Sequence, residues 1–349
     1  MNSTVKKLLI TFDYELFLGS RSGKVDSCLM IPTKKILSAM EEYGIKAIFF
    51  IDTTYLLKLK EYSIKYDLCK RDLERIVLQI QQMIKQGCYV YPHIHPHWLD
   101  AEYLPHLNEW SLKNISRYRF EQCDTATQQK LFSESHLYLT EIIRKVNPTY
   151  VCDMYRAGGW SLQPFEMFEP LFRQYGYKYE SSVLAGFYSF SNAQHFDFSE
   201  HPSKYIYRFS SDPCKEELNG LFTEFSNQCI SISKKNELLN KFWQKIVKRF
   251  SRDYSFGRGI GQSEKALYHV KPINAKGIRL GDSNYEYISI ENMSAIKNSL
   301  YKDFFNVHDY MMFVSHPKMV TNHNLYCFSR FMDSISNRHL FETDFKRMI

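Results

Sequence analysis

Apolar runs that stop abruptly at charged or polar side chains recur along this chain. Leu8, Leu9 and Ile10 lead into Asp13 and Glu15; IKAIFFID (45–52), CYVYPHIHPHW (88–98), YVCDMYRAGGW (150–160), YKYESSV (177–183) and DYMMFVSHP (309–317) follow the same plan. Continuous apolar runs, in place of strict alternation, mark strands buried on both faces, the habit of a parallel sheet. Between them lie segments with apolar residues at helical spacing. IPTKKILSAMEEYG (31–44) has Pro32 early and Gly44 where a helix would stop, and RDLERIVLQIQQMIKQG (71–87) ends likewise at Gly87. Further helices are predicted near 126–146, 163–176, 291–304 and 325–338. Strand and helix in alternation predict an α/β fold, a parallel sheet with helices outside.

From about 185 to 290 the rhythm breaks into mixed short strands, a basic helix at 234–252 and the segment FGRGIGQS (256–263). That segment lacks the GxxxxGK[ST] spacing and a strand before it, so it is not a phosphate loop. The region reads as an insertion decorating a single domain that spans residues 1–349.

Four strand ends carry polar groups: Asp13 with Glu15; His93, His95 and His97; Arg156; and His316. In a parallel barrel or sheet such ends converge on one rim. Asp13 and Glu15 are two residues apart, so in an extended segment they leave the same face. Two carboxylates so close repel unless a cation or a proton lies between them. Three histidines within five positions, opposite that pair, point to metal ligation. Two imidazoles and one carboxylate leave coordination positions open for water and substrate, as a hydrolytic site requires. A second carboxylate could take a proton from that water. An arginine beside it would hold it ionised, and a histidine across the cleft could protonate a leaving group.

Composition narrows the classes. The formal net charge of +7 is spread among 45 basic and 38 acidic residues, which argues against a nucleic-acid partner. Only KKNELLNKFWQKIVKRFSR (234–252) gathers cations; it reads as an amphipathic helix with a solvated face, or as a peripheral contact with an anionic surface. The eight cysteines form no CxxC pair and no regular spacing, which speaks against a zinc ribbon and a disulfide framework. No stretch of about 18 apolar residues occurs, and MNSTVKK runs directly into the first strand, so a cytoplasmic location is expected. The 25 Tyr and 26 Phe suit sugar-stacking platforms, although cores use them too.

These motifs resemble those of the polysaccharide deacetylases with a NodB-like domain, carbohydrate esterase family 4, over residues 8 to about 320. TFDYE (11–15) is similar to the first motif, which implies Asp13 as catalytic base and Glu15 as metal ligand, with Tyr14 where the commoner form has a second Asp. HIHPH (93–97) resembles the second motif, whose two metal histidines lie four apart. His93 and His97 carry over, with His95 an extra histidine able to displace His97. YRAGGW (155–160) is similar to the third, with Arg156 orienting the base as a bidentate clamp and Gly158 where a proline is usual; FVSHP (313–317) resembles the last, with His316 as general acid and Val314 lining the acetyl pocket. The acid that positions this histidine is not evident, and Asp197 is the weak candidate.

The resemblance implies a distorted (β/α) barrel of about seven strands. It implies a divalent metal, zinc before cobalt or nickel, and removal of an acetyl group, N-acetyl before O-acetyl, from a sugar or glycan precursor. An amidase acting on a non-sugar C–N bond, and a metal- or sugar-binding protein without turnover, are the rival expectations.

Overall fold

The computed structural model describes residues 5–114, 116–250, 276–281, 284–336 and 340–349. The main sheet is built from β1 (Lys6–Tyr14), β2 (Ile48–Asp52), β3 (Tyr89–Ile94), β4 (Met154–Ala157), β5 (Tyr179–Glu180), β6 (Ile206–Phe209), β7 (Phe222–Phe225), β8 (Tyr310–Ser315) and β9 (Phe341–Glu342). Its order is β6-β7-β5-β4-β3-β2-β1-β8, with β9 pairing the start of β1. The seven strands from β7 to β8 in this order pair parallel; only β6 runs antiparallel. Every residue of β2 and β8 is buried, as the apolar runs demand.

Helices α1 (Ile31–Glu42), α2 (Thr53–Ser63), α3 (Asp67–Lys85), α4 (Thr125–Arg144), α5 (Glu169–Tyr175), α6 (Lys234–Phe250), α7 (Lys297–Val307) and α8 (Asn322–Ser336) fill out the chain. The stop at Gly87 is physical: its φ of 78° is a left-handed value that suits glycine. Helix α2 has no counterpart in the sequence pattern. It follows β2 with no intervening loop, because Asp52 ends the strand and caps the helix by accepting from Tyr55 N at 3.1 Å.

Between β7 and β8 the described residues form no strand ladder, so the sheet curls without closing. The Gln228 side chain spans the gap, donating to Tyr310 O at 3.0 Å and accepting from Met312 N at 3.1 Å. Ile288 then bridges Gln228 O and Val314 N, at 3.0 and 2.9 Å. An amide side chain and a short extended segment thus satisfy the edge that another strand would otherwise cover. Part of the 185–290 region therefore helps hold the curled sheet together.

FGRGIGQS lies outside the described residues. The basic helix is present as α6, and all eight cysteines are free thiols. Among the described residues no helix is long and apolar enough to cross a membrane.

Candidate active site

The registers of β1, β2, β3 and β4 bring the strand ends level. Asp52 pairs with His93, His93 pairs with Arg156, and Phe12 pairs with Ser315, the residue before His316. Thr11, Asp13 and Glu15 leave one face of β1 and Tyr14 the other. Tyr14 is buried and donates to Gln79 Oε1 of α3 at 2.8 Å, so this residue takes no part in the cluster.

Arg156 is fully buried. Its Nη1 donates to Asp13 Oδ1 at 2.7 Å and to Thr11 Oγ1 at 3.0 Å; Nε and Nη2 donate to Ser181 O and Oγ at 2.8 and 2.9 Å. The guanidinium stands over the Phe50 ring, 4.2 Å from its centroid. The expected bidentate clamp on Asp13 is thus a single-nitrogen contact, because the other arm of the fork is committed to Ser181, the residue after β5. Burial alone would raise the Asp13 pKa, but the charges of Arg156, then His93 and His316, hold it below the usual carboxylate range.

Glu15, His93 and His95 present one donor atom each within 4.8 Å of one another, all three residues buried. His95 Nε2 lies 2.6 Å from Glu15 Oε2 and 3.0 Å from His93 Nε2, and His93 Nε2 lies 3.5 Å from the same oxygen. His93 Nδ1 faces Arg156 O at 2.8 Å, and only an N–H there satisfies a carbonyl; Nε2 then carries a lone pair toward the cluster. Buried Glu15 Oε2 makes no hydrogen bond of ordinary geometry. A bare imidazole nitrogen, a second one beside it and a carboxylate oxygen without a regular donor fit a divalent cation. Burial opposes ionisation of Glu15, yet Lys318 and then His95 keep its pKa well below normal. Lys318 Nζ, itself buried, donates to Glu15 Oε1 at 2.8 Å and to Leu16 O at 2.7 Å. Nothing in the sequence pattern marks this lysine.

His97 takes a different course. Strand alternation keeps His93 and His95 on one face, but Pro96 opens a 3₁₀ turn, Pro96–Asp100, that turns His97 away. Its ring stacks on Tyr118, centroids 4.3 Å apart and planes within 5°. Burial, then the neighbouring His95, push its pKa well down. Gly158 explains why His95 has room. A Cβ at this position would stand 2.4 Å from Ile94 O and 2.9 Å from His95 Nδ1, so a bulkier residue would collide with both.

Across the cleft, His316 Nδ1 lies 3.1 and 3.2 Å from the two Glu291 carboxylate oxygens, and His316 N donates to Glu291 Oε2 at 2.6 Å. Its Nε2 points inward, 3.8 Å from Asp13 Oδ2 and 3.6 Å from Glu15 Oε1. Burial would lower the His316 pKa, but the charge and hydrogen bonds of Glu291 raise it to about 9. The carboxylate that holds His316 is Glu291; Asp197 instead bonds Gln163 and Ser199. The spacing predicts a helix near 291–304, which would place Glu291 in its first turn. The helix begins at Lys297, and the residues before it are an irregular segment against β8. Val314, buried, lies two residues before His316 on the same face.

No family model matches the chain, and no curated protein matches it. Solved structures do. One from Mycobacterium smegmatis, provisionally described as a polysaccharide deacetylase, is 11% identical with a TM-score of 0.45, covering 97% of this chain and 87% of that one. The catalytic domain of a peptidoglycan N-acetylglucosamine deacetylase from Eubacterium rectale is 12% identical with a TM-score of 0.34, covering 98% and 91%. A 4-alpha-glucanotransferase from Thermococcus litoralis is 11% identical with a TM-score of 0.43, covering 97% of this chain and 39% of that one. Superpositions this loose do not choose between such activities, and the side chains of the site must do so. In fold the chain is a curled, largely parallel α/β sheet with helices packed around it.

Proposed function

We propose that the chain is a metal-dependent hydrolase that removes an acetyl group, N-acetyl in preference to O-acetyl, from a sugar or glycan precursor. The observation that carries this is the placement of three donors, Glu15, His93 and His95, between a carboxylate held ionised by Arg156 and a histidine backed by Glu291. Glycosyl transfer works through a pair of carboxyl groups flanking the bond to be broken. Here one carboxylate is tied to a guanidinium and the other to two imidazoles and an ammonium, which suits acyl transfer to water better.

Glu15, His93 and His95 would hold a divalent ion, zinc in preference to cobalt or nickel, which when bound would polarise the acyl carbonyl and lower the pKa of a water. Asp13 accepts the water proton as the oxygen bonds to the acyl carbon, and Arg156 keeps the carboxylate charged and aimed. His316 donates its Nε2 proton to the departing nitrogen as the C–N bond breaks. Glu291 fixes the tautomer and ring direction that make this possible. Acetate and a free amine are the products.

The test is acetate release from N-acetylglucosamine oligomers and nucleotide-linked N-acetyl sugars, before and after chelation and after restoring zinc. Release that chelation abolishes and zinc restores supports the proposal. Full activity after complete metal removal contradicts it, and turnover only of a non-sugar amide would shift the substrate class.

A further inference from the structure

Helix α6 turns large apolar side chains outward. Its inward line includes Asn236 and Asn240, with Asn240 4% exposed, while Leu238, Leu239, Phe242 and Trp243 stand 71%, 46%, 64% and 40% exposed. Leu238 with Phe242, and Leu239 with Trp243, are each four residues apart and so lie together on one face. Scattered exposed apolar residues need no explanation, but four large ones on a single helical stripe mark an interaction surface.

The cations on the same helix indicate what that surface meets. Residues 234–250 hold six lysines and arginines against one acid, so five of the chain's net seven positive charges fall within these 17 residues. Lys234, Lys235, Lys241, Lys245 and Arg249 are all exposed, and the one acid, Glu237, is paired with Lys241. An apolar stripe flanked by cations, on a helix too polar to span a bilayer, suits a position at the lipid–water boundary, with rings and aliphatic groups in the acyl region and ammonium groups among phosphates. We propose that α6 docks the protein on a bilayer bearing anionic headgroups. This is independent of the reaction proposed above.

The remaining tryptophans make the test specific. Trp98, Trp110 and Trp160 are at most 7% exposed, so Trp243 is the one positioned to sense lipid. Vesicles of phosphatidylcholine with about a quarter phosphatidylglycerol, titrated into the intact protein, are expected to shift tryptophan emission to the blue and to carry the protein down on centrifugation, about tenfold more tightly than phosphatidylcholine alone. Raising the salt concentration should weaken binding. Leu238→Ser combined with Phe242→Ser should reduce binding on the order of a hundredfold with the circular dichroism of the fold unchanged. Trp243→Phe should keep sedimentation and lose the emission shift. No sedimentation with anionic vesicles, or unchanged binding by the double variant, overturns the proposal. So does concentration-dependent self-association abolished by that variant in the absence of vesicle binding, which would make α6 a contact between copies.

Discussion

The Asp13 and His316 sides of the site are built by opposite means. Asp13 belongs to a β-strand, is held by an arginine with no exposed surface, and that arginine is anchored to the end of the neighbouring strand through Ser181. His316 follows its strand, keeps 19% of its side chain exposed and is held by Glu291 from an irregular segment. The difference matches what the roles proposed for them need. A base must remain ionised and aimed, which a buried guanidinium enforces. An acid must be reprotonated in every cycle, which some contact with solvent allows.

The contrast can be broken most severely at the base. Asp13→Asn should lower the rate of acetate release by about a hundredfold or more, since general-base assistance is lost while the side chain stays isosteric. A decrease of less than about threefold would remove Asp13 from that role. Arg156→Lys keeps the charge but cannot reach Asp13, Thr11 and Ser181 together, so it should lower the rate by about tenfold or more. It should also cost about 2–4 kcal/mol of unfolding free energy, because buried acceptors on two strands lose their donor. Chemical denaturation measures the second effect, and unchanged stability would mean that the buried network does not tie β4 to β5.

On the acid side the effect is one of pH. His316 has its pKa raised to about 9, so it stays protonated at neutral pH and the rate should fall as pH rises through that value. The same shift favours the folded state fully below the unfolded histidine value of about 6.5, and that contribution is lost as pH rises through the folded value. Glu291→Gln removes the charge that raises it, so the alkaline limb of kcat/KM should move down by about one unit or more with a modest change at pH 6. A limb that stays in place would dissociate Glu291 from His316. Asp13, with its pKa lowered, sets the acid limb below the usual carboxylate range. At the small end, Asp197→Asn should leave the rate within about twofold, since its side chain bonds Ser199 and touches none of the clustered groups.

What the sequence revealed follows the same division. Asp13, Glu15, His93, Arg156 and His316 could be found because each ends or follows an apolar run, and parallel strands place such ends together. Seven parallel strands could be anticipated from those runs and the resemblance. Glu291 could not be found this way: it reaches His316 from a stretch without periodicity. Lys318 was hidden because a basic residue after a strand usually meets solvent, and here it is buried against Glu15. The pairing of His95 with His93 depends on where alternation gives way to the turn at Pro96, and on the space that Gly158 leaves. A four-residue spacing read from the second motif cannot show either feature. Helix α2 carries no start signal in the sequence because β2 runs into it through a capping aspartate instead of a glycine or proline turn.

The claim that Glu15, His93 and His95 are the metal donors is tested most directly by the metal content of the purified protein, of His95→Ala and of His97→Ala, each after zinc loading and removal of excess. About one ion per chain in the parent and in His97→Ala, with little in His95→Ala, is the predicted result. Metal retained by His95→Ala but lost from His97→Ala would reassign the second imidazole. No metal in the parent would mean that the cluster is an ionic network of Glu15, Lys318 and two histidines, and the hydrolytic account would fail.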